Sequence, residues 1–162
     1  MLRLHARTLE RGLTLIELVC CSAIILVLAG AAVPVANTWV KRRKELELRQ
    51  ALREIRIAID KFQWDCEHIP GMAQKLGNRD NEEHYPEELE SLYEGFDIGD
   101  AAGTKIKYLR RMPKDPITGK ADWVTRSSRE KPGAFASDGM NIFDVHSNSK
   151  AIALDGTKYA DW

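Results

Sequence analysis

The sequence predicts an α+β fold. A long N-terminal helix, membrane-spanning in its first half and amphipathic in its second, packs on a small antiparallel sheet beside a variable loop. Three observations carry this. Residues 13–40 form a run of 28 in which Glu17 is the one Asp, Glu, Lys, Arg or His. Residues 48–66 repeat apolar side chains at helical spacing. Beyond Pro70 the chain breaks into short apolar runs punctuated by turn residues. At 162 residues there is room for one modest domain plus appendages. The formal net charge is zero, from 24 basic and 24 acidic residues, but all of them except Glu17 flank the apolar run. That reads as a membrane segment followed by a soluble part.

The run exceeds the ~20 residues a helix needs to cross the hydrocarbon core. Gly30, Pro34, Asn37 and Thr38 weaken its last third, so its hydrophobic core is 13–33. Pro34 has no amide hydrogen and its ring crowds the preceding turn, which predicts a kink or local melting. In a bilayer the freed carbonyls need neighbouring protein, which suits a helix destined for a bundle. The plainer alternative is a kink in an isolated anchor. A carboxylate at Glu17 costs several kcal/mol in lipid unless paired, so a partner is expected. The other reading has Glu17, one turn into the run, snorkelling to water. Ala29-Gly30-Ala31-Ala32 could end a secretory signal, but the run is long for one and continues into an amphipathic helix instead of a loop. Orientation is undecided by charge, because Arg3, Arg7 and Arg11 precede the span and Lys41-Arg42-Arg43-Lys44 follows it. The second cluster reads as a solvated helix surface or as a contact for lipid headgroups.

Arg11-Gly12, the apolar Leu13, then Thr14-Leu15-Ile16-Glu17 and a long apolar helix resemble the class III leader of type IV pilins and type II secretion pseudopilins. The resemblance implies a leader over 1–12, cut between Gly12 and Leu13 by the membrane-embedded prepilin peptidase, and N-methylation of Leu13. The family usually begins its mature chain with phenylalanine; here it is leucine. Glu17 becomes the fifth mature residue and pairs with the new terminal ammonium of the neighbouring subunit. Pro34 falls at mature position twenty-two, where pilin helices commonly carry a proline. The implied division is a transmembrane and assembly helix over 13–40, an amphipathic continuation over 41–69 and an exported globular region over 70–162. The N-terminus stays cytoplasmic in a bacterial inner membrane and the single-pass chain exposes its domain to the periplasm.

In the continuation, Leu48, Leu52, Ile55, Ile59, Phe62 and Cys66 follow at steps of four, three, four, three and four, one face of a helix. Arg49, Arg53, Glu54, Arg56, Asp60 and Lys61 lie opposite, so the apolar stripe is buried against a domain. The repeat barely reaches three heptads, which weakens a free-standing coiled coil. Pro70-Gly71 stops the helix at Ile69. Pro70 to His84 reads as a loop, and Tyr85 to Tyr93 as a short helix with Pro86 in its first turn and acids at its positive end. Tyr108 to Pro116 holds two prolines bracketing a turn. Ala121–Thr125, Ile142–Val145 and Ala151–Leu154 are the strand candidates.

This order also looks like the G-type major pseudopilin of type II secretion, on Tyr85-Pro86 with Leu89 and Leu92, on Leu109 through Asp115-Pro116, and on Asp144-Val145-His146-Ser147. In that family a C-terminal loop binds calcium through oxygen ligands. Asp144, Ser147, Asn148 and Asp155 supply hard oxygens here. Their spacing is not that of an EF-hand, and Asn148-Ser149-Lys150 replaces the family's Gly-Ala-Asp-Gly run; turn-forming side chains are the alternative.

Nothing in the sequence calls for catalysis. His5, His68, His84 and His146 are scattered without metal-ligand spacing. Cys20 and Cys21 are adjacent in the span and Cys66 stands alone, so they read as small apolar fillers and not as a disulfide framework. Ser137-Asp138-Gly139 lacks the glycine-flanked surroundings of a nucleophile elbow. Phosphate-cradling glycine loops and basic residues interleaved with aromatics are missing, which argues against nucleotide and nucleic-acid ligands. Lys114-Asp115-Pro116 reads as a turn, Trp123 as a core anchor, and Trp162 as a pin to the sheet. The resemblance implies a structural subunit that polymerises with itself and with other pseudopilins on an inner-membrane assembly platform, with ATP used by partner proteins. A type IV pilin and a membrane-tethered periplasmic enzyme or binding module are the rivals.

Overall fold

A computed structural model describes Gly12 and residues 14–78, 80–130 and 138–162. The chain divides into two units, Met1–Val40 and Lys41–Trp162. Helix α1 runs over Leu15–His68, 54 residues, and ends one residue before the expected stop. Thr14 starts it: its side-chain oxygen accepts from the amide of Glu17 at 3.3 Å, and its carbonyl accepts from the amide of Leu18 at 3.1 Å. This is an N-cap, which satisfies amides that have no partner within the helix.

Within the first unit the helix is apolar on every side. Leu15, Ile24, Leu26, Val33 and Trp39 are all more than half exposed, and no residue of the most apolar stretch is buried. Among the described residues it is the one helix long and apolar enough to cross a membrane. A helix hydrophobic all round must be covered by lipid or by other protein. Of the kink or local melting expected at Pro34, the melting is not found, as α1 continues unbroken through it. Thr38 donates its hydroxyl to the Pro34 carbonyl at 3.0 Å, adding a bond in the turn that follows the proline.

In the second unit the stripe behaves as its spacing requires. Leu48, Leu52, Ile55, Ile59, Phe62 and Cys66 are at most 3% exposed, and Ala51 and Ala58 widen the buried face. Each large apolar side chain so buried contributes about 1.5–3 kcal/mol relative to exposure. Against them pack Met72, Leu92, Leu109, Trp123, Ile142, Val145 and Tyr159. Phe62 sits at the centre, its ring edge-on to Phe96 at 4.9 Å and to Tyr108 at 5.5 Å.

The sheet departs from expectation. Two separate two-stranded antiparallel sheets form in place of one. The first pairs β1 (Phe96–Asp97) with β2 (Lys105–Ile106), in a stretch where no strand was expected. The second pairs β3 (Val124–Arg126) with β4 (Asp144–His146), each shifted toward the C-terminus of its predicted run. The third candidate, 151–154, is reduced to one bridge between Ile152 and Lys158. The short helix is α2 (Glu90–Glu94) and starts late. Its lead-in bonds outward instead, with the Pro86 carbonyl accepting from the Ile142 amide at 2.7 Å. Gly95 ends α2 at φ 104, and a Cβ there would stand 3.3 Å from that of Lys105, so glycine lets β2 approach. The 70–84 loop holds one 3-10 turn at Ala73–Lys75 and sends Met72 into the core.

Candidate functional site

Two groups of residues come forward from the sequence: the start of the membrane-type helix, and the oxygen-rich loops around β4. At the first, residues 1–11, with Arg3, Arg7, Arg11 and His5, lie outside the described residues, as does Leu13, the expected methylated terminus. Gly12 is exposed, and among the described residues a Cβ built on it meets no atom within 4 Å. Glu17 is exposed in the first turn of α1, three residues beyond the Thr14 cap. That is the spacing of a capping box, and a carboxylate there also complements the positive end of the helix dipole. The sequence reading missed this local pattern, although Thr14-x-x-Glu17 was visible. Pro34 lies seventeen residues on from Glu17 in the same helix.

At the second group, the four oxygen residues are committed to different partners. Asp144 is held by Arg56, whose Nε donates to Oδ1 at 2.6 Å, and by His146, whose Nε2 stands 3.2 Å from Oδ2. Burial is the largest influence on this carboxyl and pushes its pKa up. The His146 bond, the Arg56 bond and charge, and the Val145 amide outweigh it and hold the group at about 2. Ser147 donates to Asp115 Oδ2 at 2.5 Å, and both are fully buried. Asn148 donates its amide to Asp122 Oδ2 at 3.2 Å, while Thr118 donates to Oδ1 of the same carboxylate at 2.8 Å. Asp155 accepts from the Thr157 amide and hydroxyl and lies 3.5 Å from an Arg49 nitrogen. No group of three His, Cys, Asp or Glu side chains placed to hold an ion occurs among the described residues. Each of the four residues expected for calcium thus has protein partners of its own, and a cation at Asp144 would compete with a guanidinium already neutralising it.

Other expectations find plain structural places. Asp115 accepts from the amides of Ile117 and Thr118, the Asx turn expected of that proline-bracketed stretch. Trp123 is buried and donates its indole nitrogen to the Pro113 carbonyl at 3.0 Å. Asp138 accepts from the Met140 amide in a turn; Ser137 lies outside the described residues. His68 stacks on Trp64, with centroids 4.0 Å apart. Trp162 is pinned to α1 instead of the sheet: Arg49 lies 4.2 Å over its ring, and Tyr159 packs edge-on at 5.1 Å. Lys41 donates to the Ile152 carbonyl at 2.7 Å, while Arg43 pairs with Glu47 on the solvated side. The long-range ties of Arg56, Lys41 and Arg49 had no local signal, since each joins α1 to residues about a hundred positions away.

Compared with models of protein families, with curated proteins and with solved structures, the chain finds no match.

Proposed function

We propose that this chain is a structural subunit of a type II secretion pseudopilus, made as an inner-membrane precursor, cleaved after Gly12, N-methylated at Leu13 and polymerised through its apolar helix to support protein export. The observation that carries the reading is the order Arg11-Gly12-Leu13 and Glu17 at the head of a helix long and apolar enough to cross a membrane. Gly12 fits it, because among the described residues nothing packs against this position, and a glycine lets a peptidase seat the backbone closely. Prepilin peptidase, other pseudopilins, the assembly platform and the lipid bilayer are the partners. The apolar surface of 15–40 supplies what a helical bundle in the filament core buries. Glu17 is the charged member of that bundle, and its partner is the terminal ammonium that cleavage frees on the next subunit. Repetition of one heterologous contact gives an open helical filament.

A type IV pilin shares every one of these features. Cys66, the one cysteine of the second unit, is buried and free, which favours the pseudopilus over pilins held by a C-terminal disulfide.

The deciding measurement is the mass of the N-terminal peptide from membranes of the native cell, with and without prepilin peptidase. A chain beginning at methylated Leu13 only when the peptidase is present is the expected result. An intact Met1, or a cut after Ala32, overturns the reading.

A further inference from the structure

We propose that a groove on one flank of α1, centred on Ile57, receives the opposite flank of a second copy of this chain, centred on Tyr85. The proposal rests on the polymerising reading above and names the contact between exported regions.

The helix itself separates the two flanks. With 3.6 residues per turn, Glu54, Ala58, Lys61 and Asp65 run along one side of Ile57, and Arg56, Asp60, Gln63 and Glu67 along the other. On the first side Asp65 accepts from the Tyr108 hydroxyl at 2.8 Å, which fixes the segment that follows Tyr108 beside the helix. Between them lies a groove of 690 Å3 whose rim carries Arg53, Lys61, Arg110 and Arg111 against a single acid, Glu54. Ile57 lines it and is 58% exposed. Among the described residues none of these four cations has an ion-pair partner.

Beyond Arg56, which is paired with Asp144, the second side turns acidic. The Tyr85 ring packs edge-on against Phe143 at 5.2 Å, and Phe143 is 47% exposed. Asp60, Glu67 and Glu83 surround the tyrosine; burial first, then these three charges, raise its pKa. All three acids are exposed, and none is ion-paired among the described residues.

An exposed apolar centre with a cationic rim thus meets, on another copy, an exposed aromatic centre with an anionic rim. Such complementarity fixes register and excludes the like-charged alternatives, groove on groove or acid on acid. A membrane surface is a poorer occupant, since the groove lies about 24 Å along the helix from the Lys41 cluster that would meet headgroups. Because the two surfaces lie on opposite flanks, each contact leaves one free flank at either end, which gives a polymer and not a closed dimer.

The test places a benzophenone side chain at Ile57 of the full-length chain in membranes of the native cell. The expected product is a crosslinked pair whose acceptor peptide contains Tyr85. Its yield falls about tenfold with K61E and R111E, and recovers when the other copy carries E67K and E83K. Crosslinking to lipid, nucleic acid, another protein or the partner's own Ile57 flank overturns the proposal, as does a product indifferent to charge reversal or no product at all. The N-terminal mass is read on the same samples. A Tyr85 crosslink in uncleaved chains keeps the docking and sinks the pseudopilus reading, whereas cleavage at Leu13 without that crosslink does the reverse.

Discussion

Arg56 and Asp144 stand 88 positions apart and share a two-point contact: Nε to Oδ1 at 2.6 Å and Nη2 to Oδ2 at 3.3 Å. The same Nη2 also reaches the carbonyls of Val145, at 3.1 Å, and Trp162, at 2.7 Å. One guanidinium therefore ties β4 and the last residues of the chain to α1. The planar fork of arginine suits this; a lysine ammonium at the same place could not hold both carboxylate oxygens in one plane.

The pair makes the unit Lys41–Trp162 acid-sensitive. The Asp144 carboxyl is held at about 2 in the fold, below its value of about 4 in an unfolded chain. A depressed carboxyl contributes stability that is present above pH ~4 and is lost as pH falls toward 2. Arg56 is partly exposed, so after solvent screening the contribution is roughly 1–2 kcal/mol. Asp144→Asn should cost about that much at pH 7 and flatten the fall of stability between pH 4 and 2. Denaturant titrations at several pH values check it, and an unchanged acid slope in the variant would show that other carboxylates control it.

Calcium meets the same contact from the other direction. An ion takes Asp144 only if Arg56 and His146 release it, and Ser147, Asn148 and Asp155 have other partners. An ion that must first break these contacts is expected to bind weakly, and weak binding shifts stability little by mass action. Millimolar calcium should therefore leave the thermal midpoint of the full chain where it stands in EDTA. A rise in that midpoint, lost in Asp144→Asn, would mean that the loops rearrange around the ion.

How much of this was legible depends on how far apart the interacting residues are. The α1 stripe was legible because its six positions repeat within one helix, and all six are buried. So was the Asp115 turn, since an Asx turn is made within four residues. Strands β1 and β2 were missed because two residues each cannot display an alternation. A signal did exist between them: Asp97 caps the Gly99 amide and Asp100 caps that of Thr104, a tight reversal written in side-chain acceptors. Met72 gave no warning, since it, Ala73 and Leu76 show no periodicity in an otherwise polar loop. Arg56 read as one more charge on a solvated face, and only folding identifies the carboxylate it meets.

Cys66 is 3% exposed on the buried side of α1. Burial, then the charges of Asp65 and Glu67, push its thiol up to about 12. Since the thiolate is the reacting form, iodoacetamide at pH 8 should leave the peptide containing Cys66 unmodified in the folded chain and label it once denaturant is added. Equal labelling in both states would place Cys66 on a surface that opens readily. The raised value also means that the neutral thiol favours the fold; this contribution is whole below about pH 9 and is lost as pH rises through 12.

Asp115 and Ser147 form the most deeply buried polar tie between distant segments, at 2.5 Å with neither residue exposed to solvent. Asp115 Oδ1 simultaneously accepts from Ile117 at 2.7 Å and Thr118 at 3.3 Å, so one carboxylate closes its own turn and anchors the segment after β4. Asp115→Ala leaves three donors without their acceptor, and should cost about 3–4 kcal/mol. Ser147→Ala removes one donor and leaves a carboxylate oxygen short of a partner, at about 1–3 kcal/mol. If the hydroxyl acts chiefly through Asp115, the double variant should be little worse than Asp115→Ala alone, a coupling that a double-mutant cycle measures directly. Additive costs in that cycle would mean that Ser147 acts elsewhere, through the bond its oxygen accepts from the Ser149 amide at 3.0 Å.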